Sequence, residues 1–290
     1  MDTIWDSLTE EAWNDRLAGA GAAPLQQSWR YGAVVAALGA RVGRAVIRDG
    51  GREVAVAQVV ARRGLRLVMR GPVWLDCDDP DRRRAVLRRL ARCPGAVIAT
   101  PGQAVAGFGL VPLITPRHHA IWDLTPEPAA LRAAMEPKWR GRLGAAEHKA
   151  GHLSLTPAAL ETLIAAEAAQ RTLRGYRALP PDFARAWAGT RGASRVLSWG
   201  QGGRIEAAVQ VLIHGPWASY HLAWASEAGR AARAHWAMLW SMALWLRQRG
   251  VTMFDLGDVD TEAAPGLARF KLGTGAGLER LGATSLVLPG

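Results

Sequence analysis

A chain of 290 residues, 49% of them apolar, is long enough for two ordinary domains and too rich in core formers to be disordered. Its 36 basic against 25 acidic residues leave a net charge of +11, which suits nucleic acid, anionic lipid headgroups or phosphorylated substrates and equally fits a generic basic surface. Cys77 and Cys93 form no CxxC and no zinc spacing, so free thiols in a reducing compartment are expected and a metal site is not.

The N-terminus, MDTIWDSLTEEAW, is acidic and lacks an apolar stretch, so no signal peptide is expected. Ser7 to Glu10 fits a capping box opening a helix to about Leu17, and a second helix is expected after Pro24, in LQQSWRYGAVVAALG. Strands are predicted at Arg44 to Arg48, Glu53 to Ala61 and Leu65 to Met69, turned at Gly50-Gly51 and Arg63-Gly64. Residues 80 to 92 read as an amphipathic helix, with Val86, Leu87 and Leu90 as its apolar stripe and six arginines on the rest. Strands near Ala96 to Ala99 and Ala120 to Leu124 complete a first module, residues 1–125.

Pro126 and Pro128 mark the boundary, and residues 126–290 form the second module. A helical connector over about 129 to 150 is followed by a strand at Leu153 to Leu155. Helices are expected from Pro157 to about Leu173 and from Asp182 to Ala188. Strands follow at Arg195 to Trp199, Ile205 to His214 and Trp217 to Trp224. Ala231 to Gln248 reads as a long helix ended by Gly250, apolar almost all round and therefore buried. Its apolar run is too short to span a bilayer, which leaves a cytoplasmic protein, with peripheral contact to an anionic membrane still open. The last strands are Val251 to Leu256 and Thr284 to Leu288. The recurring element order predicts two α/β (α+β) modules with mixed, mostly antiparallel sheets flanked by helices.

The chemistry concentrates in Phe254 to Gly277, FDLGDVDTEAAPGLARFKLGTGAG. A strand end delivers Asp255, and Phe270-Lys271 precede a glycine-rich bend where backbone can approach a ligand. The only lysines are Lys138, Lys149 and Lys271, and in an arginine-rich chain a retained lysine points to a need for a compact charge or a shiftable pKa. There is no GxxxxGK[ST], GxSxG or HExxH. Tyr220 and Trp224 are expected on one strand face, lining a channel or packing in the core. Asp255 fits an acid that orients or deprotonates an amine and equally a turn cap.

Several stretches resemble the Fem-type aminoacyltransferases (FemA, FemB, FemX) of peptidoglycan bridges and the GNAT-like superfamily around them. They are Ser219 to Ser226, Phe254-Asp255-Leu256-Gly257, and Gly266-Leu267 with Phe270-Lys271 and Gly273. Lys138, Arg140 and Arg142 resemble that family's basic stretch, and Arg174-Gly175-Tyr176 its segment near the acceptor. Thr274 and Ala276 depart from its pattern. The resemblance implies two tandem GNAT-like modules and N-acyl or aminoacyl transfer to an amine, with no tightly bound cofactor. The donor it implies is aminoacyl-tRNA or acyl-CoA, and the acceptor a small molecule or a peptidoglycan precursor, in cell-envelope synthesis. Lys271 would stabilise the oxyanion, assisted by Asp255. Tyr220, Trp224, Arg174, Tyr176, Phe270, Gly273 and Trp74 would bind substrate, Trp74 capping the cleft from the first half. Lys138, Arg140, Arg142 and Arg230 would contact phosphate. The turn Gly229-Arg230-Ala-Ala-Arg233 lacks the usual pyrophosphate pattern, which favours tRNA; the lack of room for a long helical arm favours acyl-CoA. The competing class is a non-catalytic module binding nucleic acid or an envelope polymer, supported by the arginine-rich helix at 82–92.

Overall fold

The computed structural model describes residues 1–149, 151–154 and 159–290. Contacts divide the chain into two units, Met1–His118 with Glu279–Gly290, and His119–Leu278. The sequence boundary at 125/126 therefore shifts: residues 119–125 pair inside the second unit, and the C-terminal strand returns to the first.

The first unit begins with β1 (Asp2–Trp5), which the sequence reading passed over, and α1 (Glu10–Gly19). Thr9, rather than Ser7, caps α1 by accepting from the Ala12 amide. After a 3-10 turn at Leu25–Gln27, Ser28 caps α2 (Trp29–Ala37), so this helix starts later than Pro24 suggested. The buried side chain of Gln27 pairs instead with the Gln58 backbone and the Met69 carbonyl. Next come β2 (Arg41–Asp49), β3 (Arg52–Arg62), β4 (Leu65–Met69), β5 (Val73–Trp74), α3 (Pro80–Leu90), β6 (Ala96–Thr100) and β7 (Leu110–Ile114).

The second unit holds β8 (His118–Asp123), α4 (Pro128–Ala134), α5 (Pro137–Glu147), β9 (His152–Ser154), α6 (Ala159–Arg174) and α7 (Pro181–Ala188). The expected helix start at Pro157 and strand end at Leu155 lie outside the described residues. Then follow β10 (Ser194–Gln201), β11 (Arg204–His214), β12 (Trp217–Ala225), α8 (Glu227–Ala231), α9 (Ala234–Arg247), β13 (Met253–Asp258) and α10 (Pro265–Leu272). Arg233, in the left-handed region at φ 57°, separates α8 from α9, so the long helix starts at Ala234 rather than Ala231 and the stretch before it forms a short helix of its own. The chain ends with β14 (Gly277–Arg280) and β15 (Thr284–Val287).

Two mixed sheets result. One runs β1-β2-β3-β4-β6-β15-β7 with β5 on β3, the other β14-β8-β13-β12-β11-β10-β9. Most neighbours are antiparallel; β4–β6 and β12–β13 are parallel. In the first unit Val86, Leu87 and Leu90 of α3 pack on Ala45, Ala57 and Val59. In the second, α4, α5 and α9 cover one sheet face with Leu131, Trp139, Leu143, Met238 and Leu246, while α6 and α7 cover the other with Leu163, Ile164 and Ala184. Burying each of the Val, Leu, Ile and Met side chains stabilises by roughly 1.5–3 kcal/mol. α9 packs on the sheet with one side and on α5 with another, which explains why it is apolar nearly all round.

Candidate functional site

The second sheet is pried open at its centre. β12 and β13 pair only at Trp217–Met253, Ala218–Phe254 and Ser219–Asp255, although both strands continue. The cause is local. Val211 opposes Tyr220 while Gln210 opposes Leu222, so His221 is an extra, bulged residue in β12. On the other strand Gly257 turns the backbone at φ 83°. Beyond Ser219 and Asp255 the two backbones carry donors and acceptors that do not pair with each other, which an extended ligand segment can engage.

Lys271 stands beside the diverged end of β13. It sits in the last turn of α10, not on the glycine bend the sequence suggested, and is 7% exposed. Its Nζ donates to the Asp258 carbonyl at 2.6 Å. Gly257 adjoins it: a Cβ there would lie 3.5 Å from Nζ, an ordinary contact, so the positive φ and not the space selects glycine. Burial lowers the Lys271 pKa, opposed by the charges of Asp255 and Asp258.

Asp255 is 4% exposed. Its Oδ1 accepts the Gly257 amide at 2.7 Å and lies 3.1 Å from Nδ1 of His119. The carboxylate therefore closes the turn and orients an imidazole, so the turn-cap reading holds alongside any chemical one. His119 is absent from the sequence candidates. It lies 136 residues from Asp255 and reaches it because β8 pairs with β13, with His119 opposite Asp258.

The other candidates scatter. The bulge at His221 breaks the alternation that would put Tyr220 and Trp224 on one face. Tyr220 packs with Phe254 in the α9-side core, its pKa raised by burial, while Trp224 packs with the α6-side cluster. Phe270 stacks edge-on to Trp236 at 5.0 Å and accepts the Trp139 indole N–H at its carbonyl. A Cβ on Gly273 would come within 2.6 Å of Trp139, so these two motif residues serve helix packing. Lys138, Arg140 and Arg142 are exposed on α5, with Arg142 over the Trp236 ring. Arg174 is exposed, and the Tyr176 hydroxyl donates to Glu167 of the preceding helix at 2.9 Å. Trp74 packs on the first unit's core beneath Arg83. At α8, Gly229 is required by packing, because a Cβ would meet the Glu206 carbonyl at 2.3 Å, and its amide is held by Ser226. The amides of Arg230, Ala232 and Arg233 are also bonded within the turn, leaving exposed Arg230 without a backbone cradle beside it.

Residues 131–273 match the family described as Acetyltransferase (GNAT) domain. No curated protein matches the sequence. Among solved structures the whole chain is similar to FemX, with a TM-score of 0.77 at 16% identity over 99% of this chain and 98% of that one. It is also similar to the C-terminal domain of a protein described as a lysylphosphatidylglycerol synthetase from Agrobacterium fabrum (TM-score 0.55, 14% identity, 97% and 93% covered). A third is a tandem GNAT protein from the clavulanic acid biosynthesis pathway (TM-score 0.53, 16% identity, 98% and 97% covered). The second unit thus carries a GNAT-type acyltransferase domain, and the chain as a whole has a fold shared with tandem GNAT proteins.

Proposed function

We propose that the chain transfers an acyl or aminoacyl group from an activated ester or thioester to an amine, with Lys271 stabilising the oxyanion. One observation carries this reading. The Lys271 ammonium is buried, yet among the described residues only the Asp258 carbonyl accepts a hydrogen bond from it, leaving two of its three N–H groups for a ligand oxygen. The amine nitrogen attacks the carbonyl carbon and the C=O pair moves onto oxygen, where Lys271 meets the charge; one such donor is worth about 3–4 kcal/mol. The intermediate collapses and expels the donor's alcohol or thiol. His119, held at Nδ1 by Asp255, takes at Nε2 the proton that the amine sheds and returns it to the departing oxygen or sulfur.

Two features support aminoacyl-tRNA over acyl-CoA as donor: the net positive charge, and a turn before α9 whose amides are already bonded within the protein. An amine on a small molecule or a peptidoglycan precursor is the proposed acceptor, in line with FemX among the neighbours. The non-catalytic binding reading loses its main support. Arg82, Arg83, Arg84, Arg88 and Arg92 of the basic helix and its end all have acceptors or ion-pair partners within the first unit.

The test is a mass-spectrometric screen of amine acceptors with charged tRNA and acyl-CoA supplied in parallel. A mass gain with one donor is expected. No gain from any donor–acceptor pair, beside saturable binding of charged tRNA, would favour the binding module instead.

A further inference from the structure

The first unit contains a hollow of about 610 Å³ that the acyl-transfer chemistry does not use. It is bounded by residues of β1, β2, β3 and β4 and by the segment after α3. Its volume falls in the ordinary range for small-molecule sites, about 300–1,000 Å³. Four arginines line it, Arg41, Arg62, Arg63 and Arg66. Among the described residues none of these guanidiniums has a hydrogen bond or an ion pair. Arg41 and Arg66 both oppose Ala61 in the sheet register, so they share a face and stand about 10 Å apart across a methyl group. Arg63 occupies the two-residue turn between β3 and β4 at φ 52°, an unfavourable conformation for a side chain other than glycine or asparagine. The one lining carboxylate, Asp6, already accepts the Arg44 amide at Oδ1.

Like charges gathered without counter-ions destabilise a fold unless an anion answers them. Arginine forks match phosphate oxygens two at a time. Beside them the Trp5 indole forms a wall, its ring set against Gly43, where a Cβ would meet it at 3.2 Å. We propose that this hollow is a nucleotide site: Arg41 and Arg66 bind the oligophosphate, Arg62 and Arg63 complete its neutralisation, and the base lies against Trp5. The site is wholly within the first unit and does not depend on the acyl-transfer reading.

Isothermal titration calorimetry of the full chain tests it, with ADP, pyrophosphate, adenosine and a single-stranded oligonucleotide as titrants. ADP should bind one per chain, more weakly as salt rises, with pyrophosphate several-fold weaker and adenosine silent. Arg41→Ala with Arg66→Ala should weaken ADP by roughly 100-fold, as expected for two lost charge-assisted phosphate contacts. Arg41→Gln alone, at an exposed position, should give a partial loss and guards against misfolding of the double variant. Lys271→Met should bind ADP as the parent does, which separates this site from the transfer site. Absence of ADP binding, full affinity in the double variant, or oligonucleotide binding that ADP does not displace would each overturn the proposal.

Discussion

His221 occupies the bulge of β12 with its ring 5.5 Å from Phe183, and burial pushes its pKa down to about 4. Its Nε2 is buried with no partner among the described residues. The imidazole is therefore neutral in the fold, whereas the unfolded chain protonates near pH 6.5. Stability from this residue is complete above pH 6.5 and is lost as pH falls toward 4, by about 3 kcal/mol in all. Urea unfolding of the parent and His221→Gln at a series of pH values should show the parent losing more stability over that window. Parallel pH curves would contradict it. Lys271 obeys the opposite logic in catalysis. Burial disfavours its charged form, so the alkaline loss of turnover should begin below the ordinary lysine value of 10.5. A rate profile flat up to that value would remove Lys271 from the chemistry.

At the scale of elements, a glycine that ends a helix and one inside a helix do different work. Gly273 ends α10 against Trp139, and Gly273→Ala would drive a Cβ to 2.6 Å from that ring and 2.9 Å from the Arg269 carbonyl. A destabilisation of about 1–3 kcal/mol is expected, read as a lower melting temperature. Gly141, inside α5, has nothing within 4 Å of its Cβ position, so Gly141→Ala should stabilise by about 0.5–1 kcal/mol. Equal shifts for the two would mean that the close packing at Gly273 is not what selects glycine. Elements with a strong local signal were legible in the sequence: β4 lies at Leu65–Met69 as predicted, and α3 follows its Leu/Val stripe. The short strands β1, β7 and β14 were not, because their pattern is weak and long-range pairing makes them strands. Lys271 and Asp255 stood out by residue type and position. The bulge at His221 and the His119–Asp255 contact arise from sheet register, which no local pattern encodes.

Over the whole molecule, the chain crosses between its two units twice, near His118 and near Leu278. β15 returns to lie between β6 and β7, burying Val287. A chain ending at Ala283 would leave β6 and β7 without their shared partner. Its first unit should lose protection from hydrogen exchange while residues 119–278 keep theirs; unchanged protection in β6 and β7 would show that β15 is dispensable. The +11 charge belongs to this scale as well. If tRNA is the donor, the logarithm of its affinity should fall steeply and linearly with the logarithm of salt concentration. A flat response would remove tRNA and leave a small thioester donor.

The central claim is that the Lys271 ammonium meets charge that exists only in the transition state. Single-turnover transfer by Lys271→Met, with donor and acceptor at saturating concentration, addresses it directly. The rate should fall by roughly 100- to 1,000-fold, the loss typical of one oxyanion donor, while donor affinity changes little. A variant that transfers at the parental rate, or that loses only donor affinity, would contradict it.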